Sequence, residues 1–285
     1  MFAVLALASA VCYGAADFLG GLTSKRASTF AIVVLSQFAG LVLLFLMLPL
    51  LPDSAPVRAD YLWGALAGLT GGVGVALLYR ALAIGIMAVV APTTAVCAVV
   101  IPVLAAVVLG ERPEAVTFAG IALAMVAIAL VSQSSHPEPN DDGREQKTGA
   151  RGSAFSLALL SGVVIGFFYL ALARTSDRAG LWPLVAARIV SVALFAGTAF
   201  LTSQSLRVPS GIRTTVVAGG ALDMLANFLY LIATRSGPLS VVVTLASLYP
   251  ASTVLLARVV LHERLSRLQW LGVVCAMVAV AMIVR

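Results

Sequence analysis

Apolar runs of about 20 residues follow one another along almost the whole chain, separated by very short polar breaks, and this limits the fold more than any motif does. Inside hydrocarbon every backbone N–H and C=O must find a partner within the protein, so runs of this length fold as membrane-crossing helices. Bounded by charge, proline or glycine, ten spans are read at roughly 2–22, 30–51, 61–80, 87–109, 115–132, 153–174, 181–202, 214–234, 238–261 and 268–284. Of the 285 residues, 61% are hydrophobic and 11% charged, far from the mix of an ordinary soluble domain. The fold class predicted is an all-α integral membrane protein with ten transmembrane helices.

The net charge of +6 would suggest nucleic acid in a soluble protein. Here the basic residues stand one or two at a time in loops, where they set topology, so the expected surroundings are a lipid bilayer with no nucleic-acid partner. Cys12, Cys97 and Cys275 lie inside apolar runs without paired spacing. They read as packing residues, and neither a disulfide framework, a metal site nor a cofactor is indicated. Ala8-Ser9-Ala10 has the look of a signal-peptidase site, but no basic segment precedes it and the apolar run continues to about Leu22, so it belongs to the first span.

One break differs from the rest. "SQSSHPEPNDDGREQKTGARG", from Ser132, is polar, lacks periodicity and reads as a flexible linker over 133–152 between a first repeat at 1–132 and a second at 153–285. The two repeats superpose at a constant offset of 152: Gly14 meets Gly166, Gly68 meets Gly220, Gly85 meets Gly237, Glu111-Arg112 meets Glu263-Arg264, and Gly120 meets Gly272. Apolar composition does not produce a shared Glu-Arg and glycine register, so the chain is read as a duplication. Five crossings per copy is an odd number, so the second copy must enter the membrane from the opposite face. That 5+5 inverted repeat is an arrangement used by transporters, with a central cavity near the midplane between the copies.

"CYGAADFLGGLTSKR" in the first span, the arginine in "LVAARIVSVALF" and "LASLYPASTVLLARVVLHERLSRLQWLGVVCAMVAVAMIV" at the end resemble the EamA family of the drug/metabolite transporter superfamily. The likeness covers the chain outside the linker. It implies a ten-helix carrier whose two five-helix halves surround a cavity, moving small metabolites or drugs, often outward across the cell membrane. Family members often carry an uncharged polar residue where this chain has Asp17, and an arginine in the second span where it has Ser36. Asp17 overlays Tyr169 and Ser36 overlays Arg188, so the polar chemistry of the two copies is asymmetric.

The candidate site residues follow from the cost of polarity at depth. A carboxylate at the bilayer centre costs at least about 2.5–3.5 kcal/mol on insertion scales, so Asp223 must face protein or water and have a partner. Asn227 and Tyr230 follow it at helical spacing on one face, which is predicted to be a cavity wall. Arg188 lies about 9 Å into its span at about 1.5 Å per residue, within reach of Asp223, and the two are predicted to pair. Asp17 and Tyr13 share a face of the first span, with Arg258 the expected partner of Asp17. Pro92 and Pro250 interrupt their spans and are candidate gate or kink elements, because proline frees a backbone carbonyl, and Tyr249 beside Pro250 is a candidate cavity residue. "GLTGGVG" at 68–74 lacks the Lys-Ser/Thr of a phosphate loop and reads as close helix packing. Trp63, Trp182 and Trp270 stand near span ends as interfacial anchors, and the two Glu-Arg dipeptides as helix-end pairs.

The function expected is a secondary transporter of a small-molecule substrate by alternating access, driven by a proton or substrate gradient. There is no Walker A sequence for ATP use. A passive channel or a non-transporting membrane sensor would use the same helices. A membrane-embedded enzyme would want a His, Cys or carboxylate cluster, whereas His136 is in the linker and His262 at a span edge, so no catalytic residue is assigned. Oligomeric state is left open, a monomer being sufficient for such a carrier.

Overall fold

A computed structural model describes residues 1–50, 54–108, 115–132, 144–172, 174–236, 245–246, 248–263 and 265–283. Among these residues there are ten α-helices and no strand: α1 (Phe2–Ser24), α2 (Thr29–Met47), α3 (Arg58–Ile84), α4 (Met87–Val108), α5 (Ala115–Ser132), α6 (Arg144–Leu172), α7 (Trp182–Leu201), α8 (Ser210–Ser236), α9 (Tyr249–Val260) and α10 (Arg267–Ile283). Six are long and apolar enough to cross a membrane (α1, α2, α3, α6 from Gly152, α7 and α8), and the described apolar parts of the other four are shorter. Large hydrophobics such as Val4, Leu62, Phe200, Leu255 and Val259 are well exposed, as residues facing lipid must be.

One boundary differs from the sequence reading. Helix α6 begins at Arg144, inside the segment read as linker. Glu, Gln, Lys, Ala and Arg there are good helix formers, and extending a helix already nucleated by a span costs far less than starting one. Pro250 sits in the first turn of α9, where no intrahelical N–H is needed and its fixed φ suits the helix start; Leu245 and Ala246 are helical and Leu248 is a turn, so the span is broken just before this proline. Helix α4 does run through Pro92, five residues from its start. The segment 237–244, Glu111, Arg112 and Arg264 lie outside the described residues.

The repeat is visible in the packing. Helix α1 packs on α8 as α6 packs on α3; α2 on α8 as α7 on α3; α1 on α9 as α6 on α4; and α2 on α7 and α5 on α10 are pairs that map onto themselves. Individual bonds obey the same exchange. Ser9 Oγ donates to the Ala226 carbonyl and Ser161 Oγ donates to the Gly74 carbonyl, each at 2.8 Å, and the two bonds are related by the offset of 152 with the copies swapped. In an apolar setting such buried hydroxyl bonds and small residues hold helices together, since burial of hydrocarbon alone gives no preference for protein over lipid.

Glycine sets how close the helices come. A Cβ at Gly68 would overlap the Ala187 carbonyl on α7, and one at its repeat mate Gly220 would overlap the Ser36 carbonyl on α2. Both positions therefore let backbone touch backbone, and the glycine-rich stretch of α3 is helix packing, as read from the sequence. At the membrane edge Glu263 accepts from the backbone N–H groups of Met87 and Ala88, each at 3.0 Å, so this carboxylate caps the N-terminus of α4.

Gly220→Ala and Gly68→Ala should each destabilise the protein by about 1–3 kcal/mol, the usual range for forced overpacking. Gly197→Ala, where a Cβ meets nothing within 4 Å, should leave the thermal midpoint in detergent unchanged. Equal midpoints for all three variants would show that the α2/α8 and α3/α7 contacts do not depend on glycine.

Candidate functional site: a polar cavity between the repeats

Seven helices, drawn from both repeats, surround a cavity of about 100 Å³. At about 10–15 Å³ per water this is room for several water molecules or the core of a small solute. Tyr13 and Asp17 reach it from α1, Gln37 from α2, Arg188 and Ser191 from α7, Asp223 and Asn227 from α8, and Tyr249 from α9, while Phe168 and Tyr169 of α6 and the Gly68, Gly71 and Gly72 surface of α3 complete the lining.

The expected Arg188–Asp223 pair is formed: Nη2 of Arg188 donates to Oδ2 of Asp223. The guanidinium side chain is 9% exposed and the carboxylate 20%. The arginine's Nη1 donates to Oε1 of Gln37, a partner that the sequence reading missed although glutamine in so apolar a run is itself a signal. Asn227 is bound twice, its amide donating to the Asp223 carbonyl at 2.7 Å while its Oδ1 accepts from the Tyr13 hydroxyl at 2.9 Å. The ring of Tyr13 stands edge-on to that of Tyr249, centroids 6.3 Å apart. Helices α1, α2, α7 and α8 are thus fastened by one chain of polar contacts, and α9 meets it through the ring contact.

The structure departs from the sequence reading at two further places. Tyr230 is not among the residues lining the cavity; it packs with Ala6, Ala233, Phe2 and Leu5. Arg258 does not pair with Asp17. Its guanidinium lies 5.5 Å over the ring of Trp270, where a cation is attracted to the π face at the membrane edge. Depth along the helix had suggested the Asp17 pairing, but depth does not fix the direction in which a side chain points. Asp17 lines the cavity and makes no hydrogen bond or ion pair among the described residues. Ser191 is buried there with its Oγ also lacking a hydrogen-bond partner. Hydrogen-bonding capacity thus remains unspent inside the cavity.

Residues 1–133 and again 152–285 match the EamA-like transporter family. The chain belongs to this family. Its members are membrane transporters, so the protein is a multi-pass membrane protein of the drug/metabolite transporter type, set in lipid and acting on a small-molecule substrate. A solved structure titled "Crystal structure of protein" superposes with a TM-score of 0.66, covering 99% of this chain and 96% of its own at 17% identity, a likeness of fold. No curated protein matches the chain.

Breaking the buried pair from one side should be costly. Asp223→Ala leaves an uncompensated guanidinium and should destabilise this EamA-like transporter by about 3–5 kcal/mol. The Arg188→Met/Asp223→Leu double variant, which removes both charges, should lose less than Asp223→Ala alone. Denaturation midpoints in one detergent measure both, and a double variant that loses the sum of its two singles would mean that the charges are not coupled.

Proposed function

We propose that this EamA-like transporter is a secondary carrier that moves a small metabolite or drug-like solute through the central cavity by alternating access, outward across the cell membrane. The driving force is a gradient of protons or of the solute itself. The observation that carries this reading is the cavity itself, enclosed by helices of both repeats and lined by a buried ion pair together with unpartnered Asp17 and Ser191. Polar and ionisable groups are expensive within a membrane and are retained where solute or protons pass.

The inverted 5+5 arrangement is supported by the five α-helices that each repeat has among the described residues and by the packing that survives exchange of the two copies. In such an arrangement, rocking about the repeat axis presents the same site to each face of the membrane in turn. Asp223, Asn227, Arg188, Asp17, Tyr13 and Tyr249 form the substrate pathway in this reading. Pro92 within α4, where an intrahelical hydrogen bond is missing, and Pro250, at the start of α9 just after a break in the helix, are the gate elements in this reading, because bending is least costly at such points.

In proteoliposomes the wild type should take up solutes from a metabolite panel with saturable kinetics under an imposed pH or solute gradient. Asp223→Asn should reduce that flux at least tenfold at wild-type fold, with partial recovery in Asp223→Glu. Flux that rises linearly with concentration would mark a channel. Saturable flux untouched by Asp223→Asn would place the pathway elsewhere.

A further inference from the structure

The repeat register divides the cavity into two chemically different walls. Residues at matched positions of the two copies line it together: Tyr13 with Ile165, Asp17 with Tyr169, Gly71 with Asp223, and Val75 with Asn227. In every one of these pairs the more polar member belongs to α1 or α8, and its counterpart on α6 or α3 is aliphatic, aromatic or glycine. Helices α1 and α8 pack on one another and are tied by the Tyr13–Asn227 bond. They form one polar wall, facing an apolar and aromatic wall made by α6 and α3.

Charge within the cavity is also unequal. Arg188 is met by Asp223, and Gln37 takes up a further guanidinium N–H without adding charge. Asp17 has no such partner and completes a lining with two carboxylates and one guanidinium. The N-terminus of α9 at Tyr249 contributes about half a positive charge, which is smaller than the unmatched carboxylate. With Asp17 ionised against an incoming cation the balance is negative, beside the rings of Tyr13, Tyr169 and Tyr249, and aromatic faces attract cations. Ser191 Oγ, buried and unpartnered, supplies a further hydrogen-bonding group in the same lining.

Resting on the carrier reading above, we propose that the substrate is a small amphipathic organic cation, whose ammonium group binds Asp17 among the tyrosines and whose apolar body lies against the wall of α3 and α6. An anionic solute of the same shape would meet Asp17 as a like charge with no free cation to receive it, since Arg188 is already engaged. Gly71 lets the ring of Phe168 lie directly against α3 at the apolar wall, where an added Cβ would come within 2.8 Å of it.

The test uses four probes: 2-phenylethylamine, 2-phenylethanol and phenylacetate, which share an aromatic ring but differ in charge, and ethanolamine, which keeps the amine but lacks the apolar body. Binding to the purified full chain in detergent is read by calorimetry, and uptake is read separately in proteoliposomes. The expected result is that 2-phenylethylamine binds at least tenfold more tightly than each of the other three, and that Asp17→Asn, at an unchanged melting midpoint, removes its advantage over the alcohol. Val75→Asp, on the apolar wall, should reduce the advantage of 2-phenylethylamine over ethanolamine. Equal or tighter binding of the alcohol or the carboxylate, an amine preference that survives Asp17→Asn, or no binding of the amine would each overturn the proposal. Amine binding without uptake would uphold the substrate class and defeat the carrier reading, whereas uptake of phenylacetate alone would do the reverse.

Discussion

Arg188 carries a charge that hydrocarbon does not accept, and much of the bundle is arranged around neutralising it. The guanidinium reaches Asp223 on α8 and Gln37 on α2 from its own position on α7. Asp223 in turn offers its backbone carbonyl to Asn227, whose side chain holds Tyr13 of α1. One charged group therefore fixes four helices in relation to one another. A buried pair of this kind adds little net stability over a well-packed apolar pair, because desolvation consumes most of the Coulombic gain, yet breaking it from one side is severe. Its effect is specificity: other packings of the same apolar helices leave the guanidinium without partners.

Close approach is the second constraint, and it acts with the first. A guanidinium on α7 can reach α2 and α8 together only if those helices lie close. Gly220 permits this by letting α8 rest on the Ser36 carbonyl, one residue from Gln37. At the matching position Gly68 rests on Ala187, one residue from Arg188. The same glycine in both copies thus brings two helices together beside the residue that carries the charge in one copy and beside the glutamine that meets it in the other. Backbone and polar chemistry are coupled at this point, which explains how the repeat keeps its glycine register while its charged residues have diverged.

What was legible in the sequence follows the same division. Spans could be read because the requirement for about 20 apolar residues acts on every stretch independently, and the Arg188–Asp223 pair could be read because two opposite charges in a membrane have few other partners. Gln37 escaped notice because an uncharged amide does not demand a partner as a charge does. Arg258 was misdirected for a related reason: at the membrane edge it can stack on Trp270, a choice not open to an arginine at mid-depth. Tyr230 shares the helical face of Asp223 but stands about two turns away, and helical phase alone does not separate a cavity wall from the packing beyond its end. The start of α6 within a polar segment was hidden because helix extension from an existing span depends on the neighbouring structure, not on local periodicity.

The packing also bears on which parts of the protein behave as units. The most extensive contacts are between copies, α6 with α3, α5 with α10 and α1 with α8, and α2 then adds to α8 as α7 adds to α3. Two bodies result, one of α1, α2, α8 and α9, the other of α3, α4, α6 and α7, and each contains helices from both repeats. Separating the sequence halves as rigid blocks would tear the largest interfaces in the molecule, whereas separating these mixed bodies leaves those interfaces intact. The cavity lies between the two bodies, with its polar wall on one and its apolar wall on the other. Arg188 belongs to the second body and both of its partners, Asp223 and Gln37, to the first, so the neutralised guanidinium is a polar contact that joins the two bodies at the cavity. Any opening of the cavity at that level must exchange these two bonds for others, and the groups able to supply them are water or a bound solute.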